Sequence, residues 1–193
     1  MKESVIIFGF PGTGKTYAFE HADELGLKLQ DSDSSHFHWV YKDDEFKEPV
    51  LDEDGKKVVH PEWPANYAAY ISLTGREQFE EERPDYIFVS THTEVMKAIS
   101  DLDFTCFTVV PNKSLKERYM KLYRERGSDE AFIEMMDKNF DKFVDDTFQN
   151  AMTENCCNFL VEIREGGRIQ SVYDLIKNRT GLGVPMEDLK DDE

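Results

Sequence analysis

The stretch Gly9-Phe10-Pro11-Gly12-Thr13-Gly14-Lys15-Thr16 fits G-x-x-x-x-G-K-[ST], the Walker A pattern. Each residue type serves phosphate in its own way. Glycines let the backbone wrap closely around phosphate oxygens, and the loop N–H groups with the following helix N-terminus aim partial positive charge at the anion. A lysine at position 15 reaches the β- and γ-phosphates, and the hydroxyl of Thr16 binds Mg²⁺. Gly9, Pro11, Gly12, Thr13, Gly14, Lys15 and Thr16 are thus the candidate nucleotide-binding residues, with ATP and Mg²⁺ as the expected cofactors. The alternative is a glycine-rich strand-to-helix turn with an exposed lysine.

Phosphoryl transfer to an alcohol also needs a group that orients or deprotonates the acceptor and a metal held near the phosphates. Asp31 and Asp33, in Asp31-Ser32-Asp33-Ser34-Ser35, can divide these tasks: Asp31 toward the metal, Asp33 as the base. Read structurally, the same cluster is a solvated turn, where Asp and Ser are favoured anyway. The acid expected at the end of the third strand is missing, because that strand runs into Val89-Ser90-Thr91-His92. Ser90, Thr91 or Asp31 could take its role, or Thr91 and His92 could simply cap the next helix. Between Lys113 and Arg126 lie six bases and two acids, a local excess of cations in an acidic chain. Arg118, Arg124 and Arg126 are the candidates for neutralising charge on the transferring group, on a lid turning at Gly127. A solvated helix face with cations near its C-terminus is the alternative. His36 and His38 are not expected to share a metal, and the D-x-D-G piece at 52–55 lacks the glutamate that would close a calcium loop.

These residues need elements to hold them. Ser4-Val5-Ile6-Ile7-Phe8 reads as a buried strand, and Ala18, Phe19, Ala22 and Leu25 recur at helical spacing up to Gly26. A second strand is expected over 27–30, a third over 85–90, a fourth over 104–110 and a fifth over 159–163. Helices are expected from near Ala65, with Gly75 kinking or dividing that segment, and behind capping boxes at Thr91-His92-Thr93-Glu94 and Ser114-Leu115-Lys116-Glu117. A longer one should run from near Asp129 to Thr147, and a short one should follow Ser171. Residues 36–64 read as an insertion containing a hairpin that turns at Asp54-Gly55. Trp39, Trp63, Tyr67 and Tyr70 form either a stacking surface for a base or sugar or the insertion's own small core. Alternating strands and helices predict an α/β fold, a mainly parallel five-stranded sheet with helices on both faces. The expected organisation is a single domain over 1–180, an acceptor-side insertion at 36–83, lid-like helices at 113–148 and an acidic tail at 181–193.

The 193 residues carry a formal charge of −17. Such a field repels polyanions, so long nucleic acid is a poor partner and a small-molecule acceptor fits better. No apolar run is long enough to span a bilayer, and the expected location is cytoplasmic. Cys106, Cys156 and Cys157 are odd in number and show no C-x-x-C spacing, which suggests thiols rather than a disulfide framework. The sequence leaves the oligomeric state open.

The loop at 9–16, the Asp31-x-Asp33 pair and the basic segment around Arg118 to Arg126 together resemble the small P-loop kinases: nucleoside-monophosphate kinases and shikimate- or gluconate-type kinases. Segments 31–35 and 89–92 are also similar to those of phage-type putative nucleotide kinases. The resemblance covers residues 4–178 in layout, with the Walker A loop its specific part. It implies a three-layer P-loop NTPase fold, an ATP donor with Mg²⁺, and an adenine site beside the loop at 164–169. The chain departs from the pattern in lacking D-G-x-P-R after the third strand, and Arg76 and Arg83 are the only arginines between Asp31 and Ser90. The expected activity is transfer of the γ-phosphoryl group of Mg-ATP to a nucleoside monophosphate or nucleoside. The alternatives are a hydroxyl-directed metabolite kinase, a nucleic-acid-end kinase, or an ATP-binding regulatory switch without kinase activity.

Overall fold

A computed structural model describes residues 3–43, 45–153 and 158–182. Five strands form one sheet, in the order β2-β3-β1-β4-β5: β1 (Val5–Gly9), β2 (Leu29–Asp31), β3 (Tyr86–Val89), β4 (Cys106–Pro111) and β5 (Phe159–Ile163). Every pairing is parallel, with Ile6 level with Ile87 on one side and Cys106 on the other. Buried on both faces, β1, β3 and β4 are almost continuously apolar.

Side-chain alternation splits the core in two. Ile7, Phe88, Phe107 and Val109 pack with α1 (Lys15–Glu20), α6 (Lys116–Glu125), α7 (Glu130–Thr153) and α8 (Val172–Leu182). Ile6, Phe8, Ile87 and Val89 pack with α4 (Ala65–Gly75) and α5 (Thr93–Ser100). This is the expected three-layer α/β arrangement, a parallel five-stranded sheet with helices on both faces. The chain leaves β1 toward one layer and β3 toward the other, which opens a crevice at their carboxyl ends.

Several local expectations change. The first helix is broken: α1 stops at Glu20, His21 leaves helical geometry (φ −109°), and α2 (Ala22–Leu25) finishes at Gly26 in the left-handed region. Gly75 does not kink α4 but ends it. A Cβ there would lie 2.8 Å from the Phe104 ring, so the glycine is a packing requirement. Neither expected capping box forms. His92 stands at the N-cap of α5 without a side-chain cap, and the Asn112 side chain, accepting from the Ser114 N–H, caps the turn before α6. Asp129 accepts from the Phe132 N–H at the start of α7, which runs six residues past Thr147. Ser171 and Asp174 do cap α8.

The insertion opens with a helical turn, α3 (Ser35–His38). Short antiparallel bridges follow, Trp39 with Val59, Tyr41 with Pro49 and Leu51 with Lys57. They close over a turn where Asp52 accepts from the N–H groups of Asp54 and Lys56. Cys106 is buried in β4, whereas Cys156, Cys157 and residues 183–193 lie outside the described residues.

Candidate active site

The loop at 9–16 is fixed from three sides. Phe10 N–H donates to Val109 O of the neighbouring strand, Thr13 Oγ1 donates to Phe10 O at 2.7 Å, and Val172 N–H at the start of α8 donates to Thr13 O at 2.8 Å. From α6, the Tyr123 hydroxyl donates to Pro11 O at 2.8 Å. The glycines are needed for two reasons. Gly12 (φ +85°) and Gly14 (φ +86°) occupy the left-handed region, and a Cβ on Gly12 would meet Tyr123 at 3.0 Å and Tyr119 at 3.2 Å.

Lys15 folds over this loop, with Nζ donating to Gly9 O at 2.5 Å. Burial lowers its pKa to about 8; the nearby Arg126 pushes the same way and Asp31 opposes. An approaching polyphosphate would restore full charge to this lysine. Thr16 Oγ1 donates to Asp31 Oδ2 at 3.3 Å, which brings the two expected metal-side groups together. Burial raises the Asp31 pKa, held down in part by Lys15 and by the Thr16 hydroxyl, while Asp33 adds to the rise.

Asp33 is in a different setting. Its Oδ1 accepts from Ser35 N–H at 2.9 Å, and its Oδ2 lies 3.8 Å from His36 Nε2. It is exposed, whereas Asp31 is half-buried. Ser32 between them turns inward, its Oγ 2.5 Å from the Tyr67 hydroxyl and 2.6 Å from Phe88 O. That anchor ties the Asp31 to Asp33 corner to α4. Where an acid would follow β3 stands Ser90, its Oγ 3.1 Å from Ser34 Oγ. His38 does not join His36. It stacks between Trp39 (4.0 Å) and Trp63 (4.5 Å), and burial and the neighbouring His92 lower its pKa. Among the described residues no group of three His, Cys, Asp or Glu side chains is placed to hold a metal.

The six bases of the helical segment sort into kinds. Lys113 pairs with Asp145, Lys116 with Asp137 and Lys121 with Glu125. Arg126 covers the rings of Tyr123 (4.7 Å) and Phe132 (5.5 Å) and lies near enough to Lys15 to depress its pKa. Arg118 donates to Gln170 Oε1 at 2.8 Å, and Gln170 Nε2 holds Arg164 O and Gly167 O. Arg124 is exposed on the last turn of α6. The candidates are therefore spread: Arg126 beside the phosphate loop, Arg118 beside the loop after β5, Arg124 toward solvent.

Sequence reasoning did not place Tyr119 and Tyr123 against the loop at 9–16. It also passed over Gln170 and the contact between Ser34 and Ser90. Helical spacing signals that a side chain is buried, not which backbone it covers.

No family model matches the chain, and no curated protein is similar to it in sequence. The apo-form SH3-kinase fragment of tight junction protein 3 superposes with a TM-score of 0.43 at 7% identity, over 93% of this chain and 58% of that one. The chain thus spans less than two thirds of that fragment. Dephospho-CoA kinase from Campylobacter jejuni gives a TM-score of 0.39 at 14% identity, over 91% and 92% of the two chains. Neither likeness is close enough to carry an inference about activity.

Proposed function

We propose that the protein is an ATP-dependent phosphotransferase that moves the γ-phosphoryl group of Mg-ATP to a small acceptor, a nucleoside monophosphate or nucleoside. The observation that carries this reading is the meeting of Thr16 with Asp31 beside a glycine loop covered by Lys15. The donor set fits a hard cation: a threonine hydroxyl and a half-buried carboxylate, oxygen ligands of the kind Mg²⁺ takes alongside phosphate and water. Bound there, the ion would neutralise charge on the phosphates. Lys15 and the loop N–H groups would hold the β- and γ-phosphates, and Arg126, just past the end of α6, would balance charge on the transferring group, joined by Arg118 and Arg124 of α6 once a lid turning at Gly127 brings them inward. Asp33, exposed on the acceptor side, would accept the hydroxyl proton or orient the oxygen.

One observation favours a second reading. The third strand ends at Val89 and runs into Ser90, not into an acid, as would suit a module that binds ATP without transferring its phosphate. Among the described residues no helix is long and apolar enough to cross a membrane; a cytoplasmic location belongs to the proposal.

The test is ADP production from Mg-ATP across nucleosides, nucleoside monophosphates, polyols and 5′-hydroxyl oligonucleotides, with Lys15→Ala and Asp33→Asn as controls. Acceptor-dependent turnover lost in both variants supports the kinase. Tight ATP binding that depends on Lys15, with no acceptor raising turnover, contradicts it in favour of the ATP-binding module.

A further inference from the structure

A nucleotide acceptor brings a phosphate dianion that must be matched by cations. Between Asp31 and Ser90 the chain has six bases, Lys42, Lys47, Lys56, Lys57, Arg76 and Arg83, against fifteen acids. Both arginines lie at the wrong end of the sheet. Arg76 follows α4 and pairs with Glu3, ahead of β1, at 2.7 Å; it also donates to Leu102 O and covers the Phe104 ring. Arg83 precedes β3, donating to Glu77 O and pairing with Glu80 at 3.5 Å. These are the amino ends of strands whose carboxyl ends hold the phosphate loop and Asp31. The lysines do not compensate. Lys42 pairs with Glu48 and Lys47 with Glu45, Lys57 covers the Trp39 ring, and Lys56 sits in the exposed turn opposite Asp52.

What the acceptor side presents beside Asp33 is aromatic. The Phe46 ring stacks on His36, 4.6 Å between centroids and 12° between planes, and Tyr41 meets both rings edge-on. Phe46 is 45% exposed and held at φ +55°, a conformation that costs a bulky residue energy and is retained where it serves something. A large ring shown to solvent in a strained backbone, one stack away from a carboxylate 3.8 Å from His36, is a platform for a flat group.

We propose that the acceptor is an uncharged nucleoside, its base laid on the Phe46–His36 platform and its sugar hydroxyl turned to Asp33. This rests on the kinase reading above. In the transfer, the bond from the γ-phosphorus to the ADP oxygen breaks and a bond to the sugar oxygen forms. The hydroxyl proton passes to the Asp33 carboxylate, and ADP leaves. A nucleoside monophosphate would instead place its phosphate among carboxylates, with Arg76 and Arg83 both engaged at the opposite end of the sheet.

The test is calorimetric binding of a panel of nucleosides and their 5′-monophosphates to the protein loaded with Mg²⁺ and a non-hydrolysable ATP analogue, at about pH 7.5, above the ordinary imidazole range. At least one nucleoside should bind about tenfold or more tightly than its monophosphate. Phe46→Ala should weaken it by about tenfold, as expected for loss of one base–aromatic stack. Phe46→Trp should retain binding, and neither variant should alter affinity for the ATP analogue. Tighter binding of the monophosphates, no nucleoside binding, or indifference to Phe46→Ala would overturn the inference. Nucleoside binding as described but without phosphoryl transfer from ATP would leave the platform standing and sink the kinase reading, so the two failures are distinct.

Discussion

Lys15 and Asp31 illustrate the conflict between stability and function at single residues. Each is charged in a place that disfavours charge, and burial is the main cause for both. The folded-state pKa of Lys15, about 8, lies below the ordinary lysine value of 10.5. Between those values the unfolded chain binds the extra proton, so this residue's contribution makes stability rise with pH. Its penalty is complete below about pH 8 and gone above about 10.5. Lys15→Met should therefore stabilise the ligand-free protein at pH 7 by about 1–2 kcal/mol, a figure reduced for the partial exposure of the side chain. The gain should shrink by pH 9.5, and binding of Mg-ATP should be lost at both. Thermal melts with and without Mg-ATP check this; a destabilised Lys15→Met protein at pH 7 contradicts it. Asp31→Asn should act alike, because a raised carboxylate pKa also marks a charge that the fold disfavours. It should raise the melting temperature while weakening Mg²⁺-dependent ATP binding, readable as a higher Mg²⁺ requirement.

Elements decide how firmly the phosphate loop is held, and here α6 matters as much as α1. Tyr123→Phe removes a hydroxyl that donates to Pro11 O, which should cost about 0.5–1.5 kcal/mol in stability and raise the KM for ATP more than it lowers kcat. Gly12→Ala should be more severe, since its Cβ meets two tyrosine rings in a left-handed backbone. We expect about 1–3 kcal/mol of destabilisation and loss of ATP binding, measured by denaturant titration and calorimetry. Much of this framework was legible beforehand. The five strands lie within two residues of their expected positions, since continuous apolar runs are a direct consequence of burial on both faces. The details decided by competition between local hydrogen bonds were not legible. Asn112 wins the cap that Ser114 and Glu117 seemed to offer, and His21 breaks a helix whose apolar spacing was continuous. The meeting of Thr16 with Asp31 beside Lys15 was legible because a short motif and a strand end fix these positions. The stack of Phe46 on His36 was not, because it joins residues ten apart through a strained backbone.

The whole molecule carries 40 acids against 23 bases, and 15 of those acids lie between Asp31 and Ser90, on the acceptor half. Self-repulsion of that size should be relieved by screening. The melting temperature should rise as salt increases from about 10 mM to about 200 mM, and a fall would mean that its ion pairs outweigh the repulsion. The same field argues for a compact acceptor over a polyanion. The proposed activity depends on one claim, that phosphate leaves ATP for another molecule rather than for water. The most direct measurement is mass spectrometry of the acceptor pool after incubation with Mg-ATP, alongside quantitation of ADP and inorganic phosphate. The account predicts an acceptor heavier by one phosphoryl group, one ADP for each, little free phosphate, and none of these products with Lys15→Met. Inorganic phosphate as the sole product, whatever acceptor is supplied, would contradict it.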